Sequence, residues 1–279
     1  MVYKSIFTAL TDKALVKPLL EKASALAADY GAHLDVLCLG VDRTQVGYYY
    51  AGASAAVIQE TMERTKAEAV ELEELAKAEL TKLGGRWSTD SAVAQLGDLG
   101  RHVAARARFT DIAVLPTPYG EGRGMELEPV VEAAMFDGQV PVIVVPDAAT
   151  PSAKPKRIVV AWNESREALD AIRAALPILI TAENVHITVI DPPVHGPNRS
   201  DPGGMLAQYL SRHGIHAEID VLSKTVPRIS DVLRRHASEI GADMIVMGAY
   251  GHSRFREAIL GGATRNMLEE AHVPVFMSH

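Results

Sequence analysis

The chain repeats itself. TDIAVLPTPYG at 110–120 matches ADMIVMGAYGH at 242–252, VPVIVVP at 140–146 matches VPVFMSH at 273–279, and KSIFTAL at 4–10 matches KRIVVAW at 156–162. The matches keep one order in both halves, so the repeating unit is about half of the 279 residues and too long for a solenoid module. A duplicated domain is expected, with copies at 1–146 and 156–279. The segment between them, 147–155, is rich in Pro, Ala and polar residues and lacks apolar periodicity, as a linker does.

Within each half, short β-rich runs alternate with helical patterns. The second half predicts strands at 157–162, 184–190, 216–222, 243–247 and 273–277, with helices at 165–180, 204–212 and 229–240 and from about 263. In the helix at 229–240, Ile229, Val232, Leu233 and His236 share one side. The first half predicts strands at 5–10, 33–39, 87–94, 111–115 and 141–145 and a long amphipathic helix at 55–83, with Val70, Leu72, Leu75, Ala76, Leu80 and Leu83 as its apolar positions. Strands alternating with helices point to a parallel sheet, because parallel strands need long right-handed crossovers. The fold class is therefore α/β, with two tandem open, doubly wound, parallel five-stranded sheets. Such sheets bind ligands beyond the carboxyl ends of their strands, where the strand order reverses.

Composition narrows the function. Lys and Arg number 28 against 35 Asp and Glu, a net charge of −7, which argues against a nucleic-acid binder working through a broad basic field. The single cysteine, Cys38, excludes an internal disulfide and reads as a small buried hydrophobe. The start of the chain does not read as a signal peptide, and no apolar run reaches the roughly 18 residues that span a bilayer. A cytoplasmic protein is expected, with no membrane or nucleic-acid partner.

The second half carries a glycine constellation. Gly248, Gly251 and Gly261 follow the fourth strand with the spacing G-x2-G-x9-G, and Gly262, Ala263 and Thr264 open the next helix. Glycines let a backbone approach a ligand closely, and a helix amino terminus offers free N–H groups and partial positive charge to phosphate. The same glycines can instead serve a tight turn and nothing else.

This pattern after the ADMIVMG strand, with the closing VPV strand in both halves, resembles the universal stress protein family in its tandem form. The resemblance extends over nearly the whole chain. It implies a Rossmann-like fold of the adenine nucleotide alpha hydrolase type and, as in many members, an ATP site. Carried over, Gly248, Gly251, Gly261, Gly262, Ala263 and Thr264 would hold phosphates and ribose, Ala161, Ile190 and Met247 would border adenine, and Asn163 would stand at the end of the first strand. Gly262 replaces the family's Ser, Thr or Asn, and Asn163 replaces its frequent Asp. ATP is the expected cofactor, with ADP or AMP as its relatives and no metal beyond a nucleotide-bound Mg ion.

The first half departs from the pattern. Pro116-Thr-Pro118-Tyr-Gly120 stands in place of the paired glycines, and Glu128 and Pro129 align with Gly261 and Gly262. A carboxylate repels phosphate and proline removes a donor, so this half is expected not to bind ATP. Gly120, Gly122 and Gly124 lack the dinucleotide spacing and read as a flexible turn.

Other features have plainer readings. His213 and His216, with Glu218 beyond, read as exposed histidines and not as a metal site. His252 lies within the glycine loop, and Arg254, Arg256 and Arg265 lie around it, as phosphate partners or surface charge. The segment 48–56, with Tyr48, Tyr49 and Tyr50, is a lid, an interface or a loop packing its rings. No catalytic motif stands out. The expectation is a non-enzymatic, nucleotide-linked stress-response protein whose two halves form an intramolecular pseudo-dimer, with a homodimer as the other pairing. The rival readings are an interaction module that binds no nucleotide, and a slow ATP hydrolase.

Overall fold

A computed structural model describes residues 2–43, 55–192, 200–249 and 262–279. Two compact units divide the chain, Tyr3–Val140 and Pro141–His279.

The first unit runs β1 (Ser5–Leu10), α1 (Lys13–Tyr30), β2 (His33–Asp42), α2 (Ala55–Leu83), β3 (Arg86–Gln95), α3 (Leu99–Ala107), β4 (Ile112–Pro116) and α4 (Leu127–Glu132). A π-helical turn, Ala133–Asp137, follows directly. Its strands lie in the order β3-β2-β1-β4, with β1 parallel to both β2 and β4, and β2 parallel to β3. The order reverses between β1 and β4.

The second unit contains β5 (Val142–Val145), β6 (Arg157–Ala161), α5 (Arg166–Leu179), β7 (Asn184–Ile190), α6 (Gly204–Arg212), β8 (Ala217–Leu222), α7 (Ile229–Glu239), β9 (Met244–Gly248), α8 (Gly262–Glu270) and β10 (Val275–Ser278). The order is β5-β10-β9-β6-β7-β8. Every pairing is parallel except β5 with β10, which run antiparallel with Ile143 opposite Phe276. The two closing VPV strands thus meet each other within one unit. The segment 147–155 is tied down as well: Ala153 is buried and its carbonyl accepts a hydrogen bond from Thr181 Oγ1 at 2.6 Å.

One bond explains an element of the repeat. Asp111, the second residue of the TDIAVL match, accepts from the amides of Lys4 and Ser5 at 2.6 and 2.9 Å through Oδ2. Asp243, its counterpart in ADMIVM, accepts from Lys156 and Arg157 at the same 2.6 and 2.9 Å. Each aspartate satisfies amides at the entry of its unit's first strand, a position the ladder leaves short of acceptors.

The helices bury narrower stripes than the sequence suggests. In α2, Thr65, Ala69, Leu72, Ala76 and Leu80 are buried, whereas Val70, Leu75 and Leu83 are exposed. The buried set climbs in steps of three and four and lies over β2, where a Cβ on Gly40 would come within 2.1 Å of the Thr65 carbonyl oxygen. Small residues let this helix sit close. In α7, Val232, Leu233 and His236 face inward as expected, but Ile229 is exposed. Among the described residues, no helix is long and apolar enough to cross a membrane.

Candidate functional site

In the second unit the strand order reverses between β6 and β9, where Val160 pairs with Val246. Ala161, Met247 and Gly248 therefore end two neighbouring strands on the same side of the sheet. Ile190 ends β7 alongside, since Ala161 pairs with Thr188. Ala161 and Ile190 are half-buried and Met247 is buried. The predicted residues on these three strands are thus brought to one edge.

Beyond β6 the chain turns at once into α5. Ser165 caps that helix, accepting from the Ala168 amide at 3.1 Å through Oγ. Asn163 is exposed, and its Oδ1 accepts from the Ser165 amide at 3.2 Å, which leaves its side-chain NH₂ as the group turned to other partners. Glu164 adopts φ 61° and Asp191, just past β7, adopts φ 44°. Both are non-glycine residues in the left-handed region, which costs backbone energy, and both sit at carboxyl strand ends.

Gly248 has a packing role. A Cβ there would lie 2.4 Å from the Ala168 nitrogen and 2.6 Å from the Glu167 carbonyl carbon. The amino-terminal turn of α5 rests directly on the end of β9, and only glycine leaves room. Gly262 differs: it opens α8, is exposed, and among the described residues a Cβ on it would meet nothing within 4 Å. Ala263 is exposed too, while Thr264 is buried. No acidic residue occupies the first turn of α8. Arg265 Nε donates to Glu269 along the same helix at 2.9 Å. Gly251, Gly261, His252, Arg254 and Arg256 lie outside the described residues, as do Tyr48, Tyr49 and Tyr50.

The matching edge of the first unit is built from charges. Arg43, just past β2, bonds the Glu126 carboxylate through Nη2 at 2.6 Å and Nε at 3.3 Å. It also donates to the carbonyls of Thr11 and Val41 and to Glu68. The Glu126 side chain is 1% exposed and stands immediately before α4. The bond to Glu126 raises the Arg43 pKa above its ordinary value. Gly124 makes the fit possible, because a Cβ there would lie 2.4 Å from both Glu126 carboxylate oxygens. The sequence pointed to Glu128 and Pro129 at this place; both lie inside α4, and the carboxylate held by the guanidinium belongs to Glu126.

A cavity of about 180 Å³ lies elsewhere in the first unit, against Phe7, Asp35, Ser88, Asp90, Arg106 and Phe109. Its lining on β2 and β3 comes from the earlier residues of those strands, Asp35 to Leu37 and Ser88 and Asp90.

One cluster escaped sequence reading. His186 on β7, Asp220 on β8 and His236 on α7 bring their donor atoms within 4.8 Å of one another. The nearest sequence signal was a histidine inside the apolar run NVHITVI. His213 and His216, the histidines that stand nearest each other in the sequence, are exposed as expected, and His216 approaches Glu218 at 3.7 Å.

Comparison with known proteins finds a family match in the second half of the chain. Residues 154–279 match the model of the universal stress protein family. The carboxyl-terminal half is a universal stress protein domain. A universal stress protein of Synechocystis is 26% identical over 91 residues, 33% of this chain and 31% of that relative's length. A universal stress protein from Archaeoglobus fulgidus shares the fold with a TM-score of 0.66 at 18% identity, over 98% of this chain and 95% of the other. A protein of unknown function from Pseudomonas aeruginosa has a TM-score of 0.60 at 12% identity, over 99% and 92%. A tandem form of the universal stress protein fold fits the chain length.

Proposed function

We propose that the chain is a cytoplasmic stress-response protein that binds ATP through its universal stress protein domain and catalyses no reaction of its own. The observation that carries this reading is the edge between β6 and β9. Ala161, Met247 and Gly248 end adjacent strands there, and α8 begins with the exposed Gly262 and no acidic residue in its first turn. A helix amino terminus of this kind attracts phosphate oxygen. Asn163 keeps its NH₂ as a donor for a ribose or phosphate oxygen, and Ile190 and Ala161 offer apolar surface to a purine. Bound ATP would supply triphosphate charge, with a Mg ion of its own. In the first domain the Glu126 carboxylate already engages Arg43, which supports a single site per chain. The domains acting together as a pseudo-dimer, or as half of a homodimer, belong to the same proposal.

Gly248 favours one rival. Its glycine is fully accounted for by the contact with Ala168, so that residue needs no ligand to explain it. The rival is an interaction module that binds no nucleotide.

The test is to denature the purified protein, identify any released nucleotide by chromatography with mass detection, and titrate ATP and AMP into stripped protein. Saturable ATP binding at about one site per chain supports the proposal. No release and no binding heat would favour the interaction module, and phosphate release above that of a Gly262→Asp control would favour slow hydrolysis.

A further inference from the structure

We propose that His186, Asp220 and His236 form a site for a divalent transition-metal ion of the zinc class. The register sets it up. Thr188 pairs with Asp220 and His186 with Glu218, so His186 and Asp220 stand on one face of β7 and β8, one pair apart. Helix α7 turns His236 inward beside them, with Val232, Leu233 and Ala237 buried around it.

Both imidazoles aim at one carboxylate oxygen. Asp220 Oδ2 lies 2.9 Å from His186 Nδ1 and 2.7 Å from His236 Nε2. The rings meet nearly edge to face, with centroids 6.3 Å apart. The three side chains are 12%, 23% and 11% exposed, withdrawn from bulk water yet reachable by an ion.

Zinc bonds of about 2.0–2.2 Å to nitrogen and oxygen require tetrahedral donors roughly 3.3 Å apart. The cluster reaches that spacing by opening its two hydrogen bonds by about half an ångström and closing the two nitrogens, which lie within 4.8 Å, toward each other. The ion replaces the protons that the two rings share with Asp220. Each ring then carries its proton on the other nitrogen, at His186 Nε2 and His236 Nδ1. Two imidazoles and one carboxylate suit zinc, cobalt or nickel, whereas magnesium and calcium prefer all-oxygen sets. A water completes the fourth position. The site lies on β7, β8 and α7, apart from the β6–β9 edge, so it stands whether or not ATP binds.

The experiment uses the untagged full chain, stripped by chelator and dialysed against zinc, with metal content measured per chain. About one tightly held zinc is expected, and Co(II) in its place should give the intense visible absorption of a tetrahedral ion. His236→Gln and Asp220→Asn should each weaken zinc binding by more than about tenfold, while a His213→Gln/His216→Gln double variant binds as the parent does. Circular dichroism checks that the variants fold. The proposal is overturned if the parent retains no zinc, if Co(II) stays weakly coloured, or if the His213/His216 variant loses the metal instead.

Discussion

Gly248 ends its strand so close to Ala168 that a methyl group on it would sit 2.4 Å from the Ala168 amide nitrogen. Helix α5 and strand β9 are locked together by the absence of a side chain. Gly248→Ala should therefore destabilise the second domain by about 1–3 kcal/mol through overpacking, or more if α5 cannot shift. Urea denaturation followed by circular dichroism measures it. An unchanged midpoint would mean that the helix yields at little cost.

Gly262 separates binding from folding. Among the described residues nothing crowds it, so Gly262→Asp should leave the fold intact and favour the amino terminus of α8 by about 0.3–1 kcal/mol. The same carboxylate would repel a triphosphate. ATP titration should show affinity reduced by about tenfold or more, equivalent to roughly 1.4 kcal/mol. ATP binding that survives the change would place the phosphates elsewhere.

Arg43 and Glu126 should behave as a coupled pair, with the carboxylate buried and the guanidinium 38% exposed. Arg43→Met leaves the buried Glu126 carboxylate without its partner and should cost the first domain about 1–3 kcal/mol, less than for a fully buried pair because solvent reaches the guanidinium. Arg43→Met combined with Glu126→Leu should recover much of that loss. Chemical denaturation of the two single variants and the double variant tests the coupling; additive losses would mean that the pair does not act as a unit.

Glu132 gives a pH signature. Burial, then the nearby Glu128 and Asp137 carboxylates, raise its pKa above the ordinary 4.5. The folded state thus holds this proton more tightly than the unfolded state does. The resulting stabilisation is full below pH 4.5 and is lost as pH rises through the raised native value. Glu132→Gln has no such loss, so its stability relative to the parent should climb across that window and level off above it. Melting curves at several pH values check this, and a flat difference would refute it.

Cys38 is fully buried, and its thiol is pushed up to about 12, first by burial and then by Glu73. The reactive thiolate is scarce at neutral pH. A thiol reagent should label the native protein only at the rate of unfolding, and denaturant should release the whole signal. Rapid labelling of the native chain would contradict this placement.

Repeats and periodicity were enough to predict the strands, because short apolar runs between helical patterns have few ways to fold. The β6–β9 edge was legible for the same reason: parallel topology fixes where strand order reverses. Other features depended on contacts between distant residues. Asp111 and Asp243 stood in the repeat without a visible purpose until each was found bonding the amides of its first strand. Gly248 suggested a ligand from its neighbours in sequence, and its contact with Ala168 supplied a packing reason from a residue 80 positions earlier.

The sequence by itself determined the α/β class, the duplication and the strand ends at which a ligand would be sought, because hydrophobic period and crossover length are properties of the chain. Tertiary structure alone decided that Arg43 reaches Glu126, that β5 runs antiparallel to β10, and that His186, Asp220 and His236 meet. Those relationships depend on register and on the packing of a helix against a sheet. A one-residue slip in the register of β7 on β8 would put His186 and Asp220 on opposite faces and separate the three donors.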